Sequence, residues 1–141
     1  MKIRFLLFAA LVLAGCVQAT TPPQLAYTPG VPVVIANGHY ESAAFSVRVP
    51  DGWRVITPAA DAPPSVIFVS PDDTALMLIS STPIGEPPRP NVENDVPLQT
   101  AVREVDVNGT TVYVFFAAPD VDGQWDTMQP LFEHVIASLD L

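Results

Sequence analysis

A chain of 141 residues that is 49% hydrophobic has room for one ordinary domain with a buried core, which excludes a disordered acidic tail. Its sixteen prolines, roughly twice average usage, exclude a long-helix or coiled-coil protein. Six Lys+Arg against fifteen Asp+Glu leave a net charge of −9; phosphate contacts need the opposite balance, so no nucleic acid is expected as a partner.

Lys2 and Arg4 precede an uncharged, mostly aliphatic run from Phe5 to Ala14. As a helix that run rises only about 15 Å, half of a hydrocarbon core of about 30 Å, so it is too short to span a membrane. A charged start, a short apolar stretch and small residues together predict a secretory signal. The end of the run, Leu13-Ala14-Gly15-Cys16, resembles the lipobox of bacterial lipoproteins at all four positions. The resemblance implies a signal peptide over 1–15, a lipid joined to the thiol of Cys16, cleavage before that residue, and acylation (palmitate or a related chain) of the new N-terminus. Cys16 is also the single thiol of the chain and has no partner for an intrachain disulfide. One acyl chain holds a protein to a bilayer only marginally, whereas the two chains of a diacylglyceryl group hold it stably.

Without residues 1–15 the chain keeps four arginines (Arg48, Arg54, Arg89, Arg103) and no lysine against its fifteen acids, a net charge of −11. Such a body does not adhere to an anionic lipid surface by charge, so the lipid must do the holding. The expected location is the bacterial cell envelope, on the outer side of the cytoplasmic membrane or on the outer membrane. An Asp after the lipidated Cys resembles an inner-membrane retention signal, and Val17 stands there instead.

Residues 16–32 read as the lipidated Cys and a tether, with Pro22, Pro23, Pro29 and Pro32 among Thr and Gln and no charge. A single domain is expected over 33–141. Val33-Val34-Ile35 and His39-Tyr40 flank Asn37-Gly38, a hairpin signal because both turn residues accept positive φ. Phe45, Val47 and Val49 alternate with Ser46 and Arg48, and Pro50-Asp51-Gly52 supplies a turn before Trp53–Ile56. Strands follow over 65–70 and 74–80, joined through Pro71-Asp72-Asp73, and over 102–107 and 110–117, joined through Asn108-Gly109. Both faces are apolar in 75–79 and 112–116, which predicts strands covered on both sides. Pro83, Pro87, Pro88, Pro90 and Pro97 predict a wrapped loop over 83–97, and 98–103 allows a short helical turn.

The period then changes. Trp125, Met128, Leu131, Phe132, Val135, Ile136 and Leu139 recur at steps of three and four, the stripe of a C-terminal helix. With Thr127 as N-cap, Pro130 would sit in the first turn, where its missing N–H costs nothing; this is preferred to a start near Asp122 with Pro130 inside the helix. The fold class is α+β: a central antiparallel sheet of about six or seven strands with the C-terminal helix on one face.

Phe45-Ser46-Val47-Arg48-Val49-Pro50-Asp51-Gly52-Trp53 resembles the opening strand and turn of PsbP-like proteins, and Phe132–Leu139 is similar to that family's final helix. The superfamily includes the extrinsic photosystem subunit of thylakoids and bacterial DcrB-like lipoproteins. The resemblance covers about residues 40–141 and implies an α/β/α sandwich acting as a binding or assembly module. Where that family has a second helical layer, this chain has the proline-rich stretch 83–97, so the second layer is expected to be reduced.

Catalytic and ligand motifs are sparse. There is no glycine-rich phosphate loop, no Cys–His metal spacing and no G-x-S-x-G. His134 falls beside the apolar stripe and His39, after Asn37-Gly38, reads as an exposed turn residue, each better explained by its place than by catalysis, and Glu41 with Glu133 would meet only through the tertiary fold. Asp120, Asp122 and Asp126 form a loose acidic loop that lacks the terminal Glu of a calcium loop, so they are weak metal candidates and no cofactor is expected. The expectation is therefore a non-catalytic, lipid-anchored binding or assembly protein with a protein partner. A small extracytoplasmic hydrolase with an unrecognised acid pair and a solute-binding lipoprotein are the alternatives.

Overall fold

The computed structural model describes residues 38–59 and 61–140. In chain order these form β1 (His39–Glu41), β2 (Ser46–Arg48), β3 (Arg54–Ile56), β4 (Ser65–Val69), β5 (Leu76–Ser80), β6 (Leu98–Val107), β7 (Thr110–Pro119) and α1 (Gln124–Ala137). Cys16, the signal, the tether and the strand expected at 33–35 lie outside the described residues.

The architecture is α+β. Five strands form an antiparallel sheet in the order β3-β4-β5-β7-β6, and β1 and β2 pair separately. This corrects the expectation of one sheet of six or seven strands. Two features separate the first pair. The 50–53 turn, with Gly52 at φ 77° and a 3.1 Å hydrogen bond from the Trp53 N–H to the Pro50 carbonyl, redirects the chain into the main sheet. The C-terminal tail then takes the free edge of β2: Ser46 N–H donates to the Asp140 carbonyl at 2.6 Å and Asp140 N–H donates back at 2.9 Å. The Arg48 N–H also donates to Ser138 Oγ at 3.0 Å.

The β6–β7 hairpin follows from its turn residues. Asn108 (φ 51°) and Gly109 (φ 86°) are both left-handed, the geometry of a two-residue turn whose twist matches that of its strands. Asp106 Oδ1 accepts from the Gly109 N–H at 3.0 Å and holds the turn.

β5 and β7 occupy the centre of the sheet, as their apolar residues on both sides require. On one face Val66, Phe68, Met77, Ile79, Val114 and Phe116 meet α1 and the β1–β2 pair through Trp125, Phe132, Val135, Tyr40, Phe45 and Val47. Phe116 stacks on Phe132 with ring centres 4.9 Å apart and lies tilted against Trp125 at 5.2 Å. On the other face Ile67, Val69, Leu76, Phe115 and Ala117 form a smaller cluster with Ile56, Leu78 and Ile84.

That second face is crossed by the connection from β5 to β6, which must pass β7 because the two strands are not neighbours. The proline-rich stretch forms this strap. Ile84 packs on the second cluster, and Asn91 N–H donates to the Asp73 carbonyl at 3.0 Å, tying the strap to the β4–β5 turn. Residues 98–103 are extended, not a helical turn: pairing of Leu98 with Pro119 through Arg103 with Val114 lengthens β6 to ten residues. Pairing along a full neighbouring strand satisfies backbone groups that an isolated helical turn would leave open.

α1 also departs from the preferred reading. It starts at Gln124 behind a left-handed Gly123, and Pro130 lies inside it. Thr127 is no N-cap; its N–H and hydroxyl both bond back to the Gly123 carbonyl, at 3.1 and 3.0 Å. The earlier start brings Trp125 into the aromatic group with Phe116, and burial of that large ring outweighs a missing hydrogen bond at the exposed Pro130.

Candidate functional site

The sheet's two outer edges differ. β3 has three residues, while β6 has ten and presents its whole outer side without a neighbour among the described residues. Which backbone groups face outward follows from the hairpin. Val107 and Thr110 close a two-residue turn, so the odd-numbered residues of β6 bond to β7 and the even-numbered ones point away. Two hydrogen bonds agree with that parity. The Pro97 carbonyl accepts from the Asp120 N–H at 2.8 Å on the β7 side, and the outward carbonyl of Val102 accepts from Arg103 Nη1 at 3.0 Å. Leu98, Thr100, Val102, Glu104 and Asp106 therefore offer their N–H and C=O groups along the edge.

The side chains of these residues lie on the strap side of the sheet, opposite Pro119, Ala117, Phe115, Tyr113 and Thr111 in turn. Among the described residues Val102 is the large apolar side chain left exposed, at 59%. Beside it, a cleft of about 310 Å³ opens between the strap and the sheet. Its walls are Pro87, Pro88, Arg89 and Pro90 on one side and Leu98, Thr100, Phe115 and Ala117 on the other. Prolines with no N–H and aliphatic or aromatic walls make this a surface for apolar groups, with Arg89 and the Thr100 hydroxyl as its polar features.

The charge around the edge is mainly negative. Glu104 and Asp106 follow Val102 along the edge, and Asp120, just after β7, lies beside the start of β6. Arg103 faces Glu133 of α1 at 3.9 Å; both side chains are about half exposed, so this ion pair contributes little stability.

The residues singled out in the sequence are not gathered here. His134 lines a separate hollow of about 130 Å³ with Arg48, Pro50, Asp51, Leu131 and Val135, none of which supplies a hydroxyl nucleophile. His39 opens strand β1 opposite Arg48 and does not sit in a turn. Glu41 lies on β1 opposite Ser46, while Glu133 faces Arg103. Asp120, Asp122 and Asp126 occupy the β7–α1 connection and first helical turn, and among the described residues no group of three His, Cys, Asp or Glu could hold a metal ion. No described helix is long and apolar enough to cross a membrane.

Two groups with displaced protonation are structural. The Ser70 hydroxyl donates to Asp72 Oδ1 at 2.6 Å and lowers the carboxyl below its ordinary range. Burial raises the Tyr40 phenol, whose hydroxyl donates to the Ser65 carbonyl at 3.1 Å.

The sequence reading missed the β6 edge. Its signal is the alternation of exposed Thr100, Val102, Glu104 and Asp106, but that pattern describes any strand with one solvated face. Comparison of the chain with protein-family models, with curated proteins and with solved structures found no match.

Proposed function

We propose that this chain is a lipid-anchored, non-catalytic binding or assembly protein of the bacterial cell envelope, held by a lipid on Cys16 and docking a partner protein at the outer edge of β6. The observation that carries this reading is the exposed Val102 on an open ten-residue edge, beside an apolar cleft of about 310 Å³. Long exposed edges are templates for pairing, and natural proteins ordinarily shorten or cover them. The walls of the cleft suit contact with apolar groups better than acid–base chemistry. The motifs at 45–53 and 132–139 support a PsbP-like domain in which the proline strap stands in place of a second helical layer.

Position-specific photocrosslinking in intact cells tests the docking reading. A photoreactive residue in place of Val102 is expected to trap one defined envelope protein. The same group in place of the exposed Ala43, which is on the loop between β1 and β2, is expected to trap none. Equal labelling from both positions, or none from Val102, removes the docking site.

A further inference from the structure

We infer that the partner binds by strand addition: a cationic, extended segment of another protein joins the main sheet as a sixth strand along β6. The inference rests on the docking reading and specifies its chemistry. The outward N–H and C=O groups of Leu98, Thr100, Val102, Glu104 and Asp106 form a complete ladder template at two-residue spacing. An antiparallel segment laid on it would place alternate side chains on the strap side, next to Val102 and the mouth of the apolar cleft. Main-chain bonds would supply attachment, and the apolar cleft at one end of the edge with Glu104 and Asp106 toward the other would supply selectivity.

Charge decides between occupants. A second copy of this chain would set one body of net charge −11 against another, and in its two-fold register about Val102 no arginine would face an acid. Residues 17–37 of the same chain carry no charge to meet Glu104 and Asp106, and the four prolines within 22–32 remove N–H donors a ladder needs, leaving 33–37 free of proline. A Lys- or Arg-bearing segment meets Glu104 and Asp106 directly and is drawn toward the anionic body as a whole. Arg103 does not close the edge: its guanidinium meets the Val102 carbonyl from an exposed side chain and can be displaced by a backbone N–H.

The experiment uses full-length protein in detergent micelles, with amide exchange read residue by residue. Three capped octapeptides are the probes: Lys-Thr-Lys-Thr-Val-Thr-Val-Thr (the Lys–Val peptide), which in antiparallel register sets its lysines against Asp106 and Glu104 and a valine against Val102; the same peptide with Glu for Lys (the Glu–Val peptide); and the Lys–Val peptide N-methylated on the edge-facing amides of its Lys and Val residues. In the protein alone, the amides of Thr100, Val102 and Glu104 are expected to exchange fast while those of Ala101 and Arg103 are slow. The Lys–Val peptide is expected to bind and slow the first set. Binding should weaken about ten-fold or more for the Glu–Val and the N-methylated peptides. Val102→Pro removes an outward N–H and leaves the β7 ladder intact, so it should lose binding by a similar factor of about ten while Ala101 and Arg103 stay protected.

Slow exchange at Thr100 and Val102 in the protein alone would mean that the edge is already paired, by a second copy or by the chain's own N-terminal residues, and would overturn the proposal. Failure of the Lys–Val peptide to bind, or equal binding of the N-methylated peptide, would overturn it too. A partner trapped at Val102 in cells together with either failure removes strand addition alone, whereas absence of a trapped partner removes the docking reading beneath it.

Discussion

Ser70 shows how one buried hydroxyl organises a turn. It is fully buried at the end of β4, accepts the Ala75 N–H at 2.9 Å and donates to Asp72 Oδ1 at 2.6 Å. Ser70→Ala leaves the Ala75 N–H without that acceptor, so about 1–3 kcal/mol of stability should be lost, measured by urea unfolding. Asp72 adds a pH dependence. Its folded pKa lies below the unfolded value, so its contribution is complete above the ordinary Asp range near pH 4 and disappears as pH falls through the lowered value. Unfolding midpoints followed downward from pH 5 should fall less steeply in Asp72→Asn than in the parent; identical slopes would show that the Ser70 hydroxyl does not stabilise the carboxylate. Arg54 also reaches this turn, pairing with Asp73 across the exposed surface.

At the scale of the element, α1 and β6 set the balance between local preference and packing. An interior proline costs a helix about 3 kcal/mol relative to alanine, yet α1 runs through the exposed Pro130 because Trp125, Phe132 and Val135 are all buried against the sheet. Pro130→Ala restores an N–H to the Asp126 carbonyl and should raise stability by about 1–3 kcal/mol, read as a higher thermal midpoint without loss of the Trp125 near-UV signal. Gly109 in the β6–β7 turn behaves oppositely. At φ 86° a β-branched side chain is strained even though space around the position is open, so Gly109→Val should cost about 1–3 kcal/mol and loosen amide protection at the hairpin end first. The turns at 50–52 and 108–109 and the stripe of α1 were legible because each depends on a few adjacent residues. The start of α1 was misread because it depends on where Trp125 finds its partner Phe116.

For the whole molecule, the proposed arrangement is an anionic body presenting one open strand edge outside the cytoplasm. Charge alone would keep such a body off an anionic membrane surface, so in the proposed arrangement attachment would depend on Cys16. Cys16→Ser should move the protein from the membrane to the soluble fraction and abolish incorporation of labelled palmitate, and membrane retention of the variant would exclude the lipid anchor. The fold places the remaining surfaces unequally. One face of the sheet is covered by α1 and the β1–β2 pair, and the other by a strap that reaches Phe115 and Ala117 but leaves Val102 exposed.

Within the described residues the sequence by itself determined the strand segments other than the first half of β6, both glycine turns, the helical stripe and the two-sided burial of β5 and β7, because alternation and turn chemistry act over a few residues. Only the tertiary structure decided that β1 and β2 stand apart, that the prolines form a strap over the second face, and that β6 lies at the edge with its even-numbered residues turned outward. These depend on strand order. That order follows from which segments must be buried on both faces and which tolerate water, a competition among all the strands at once.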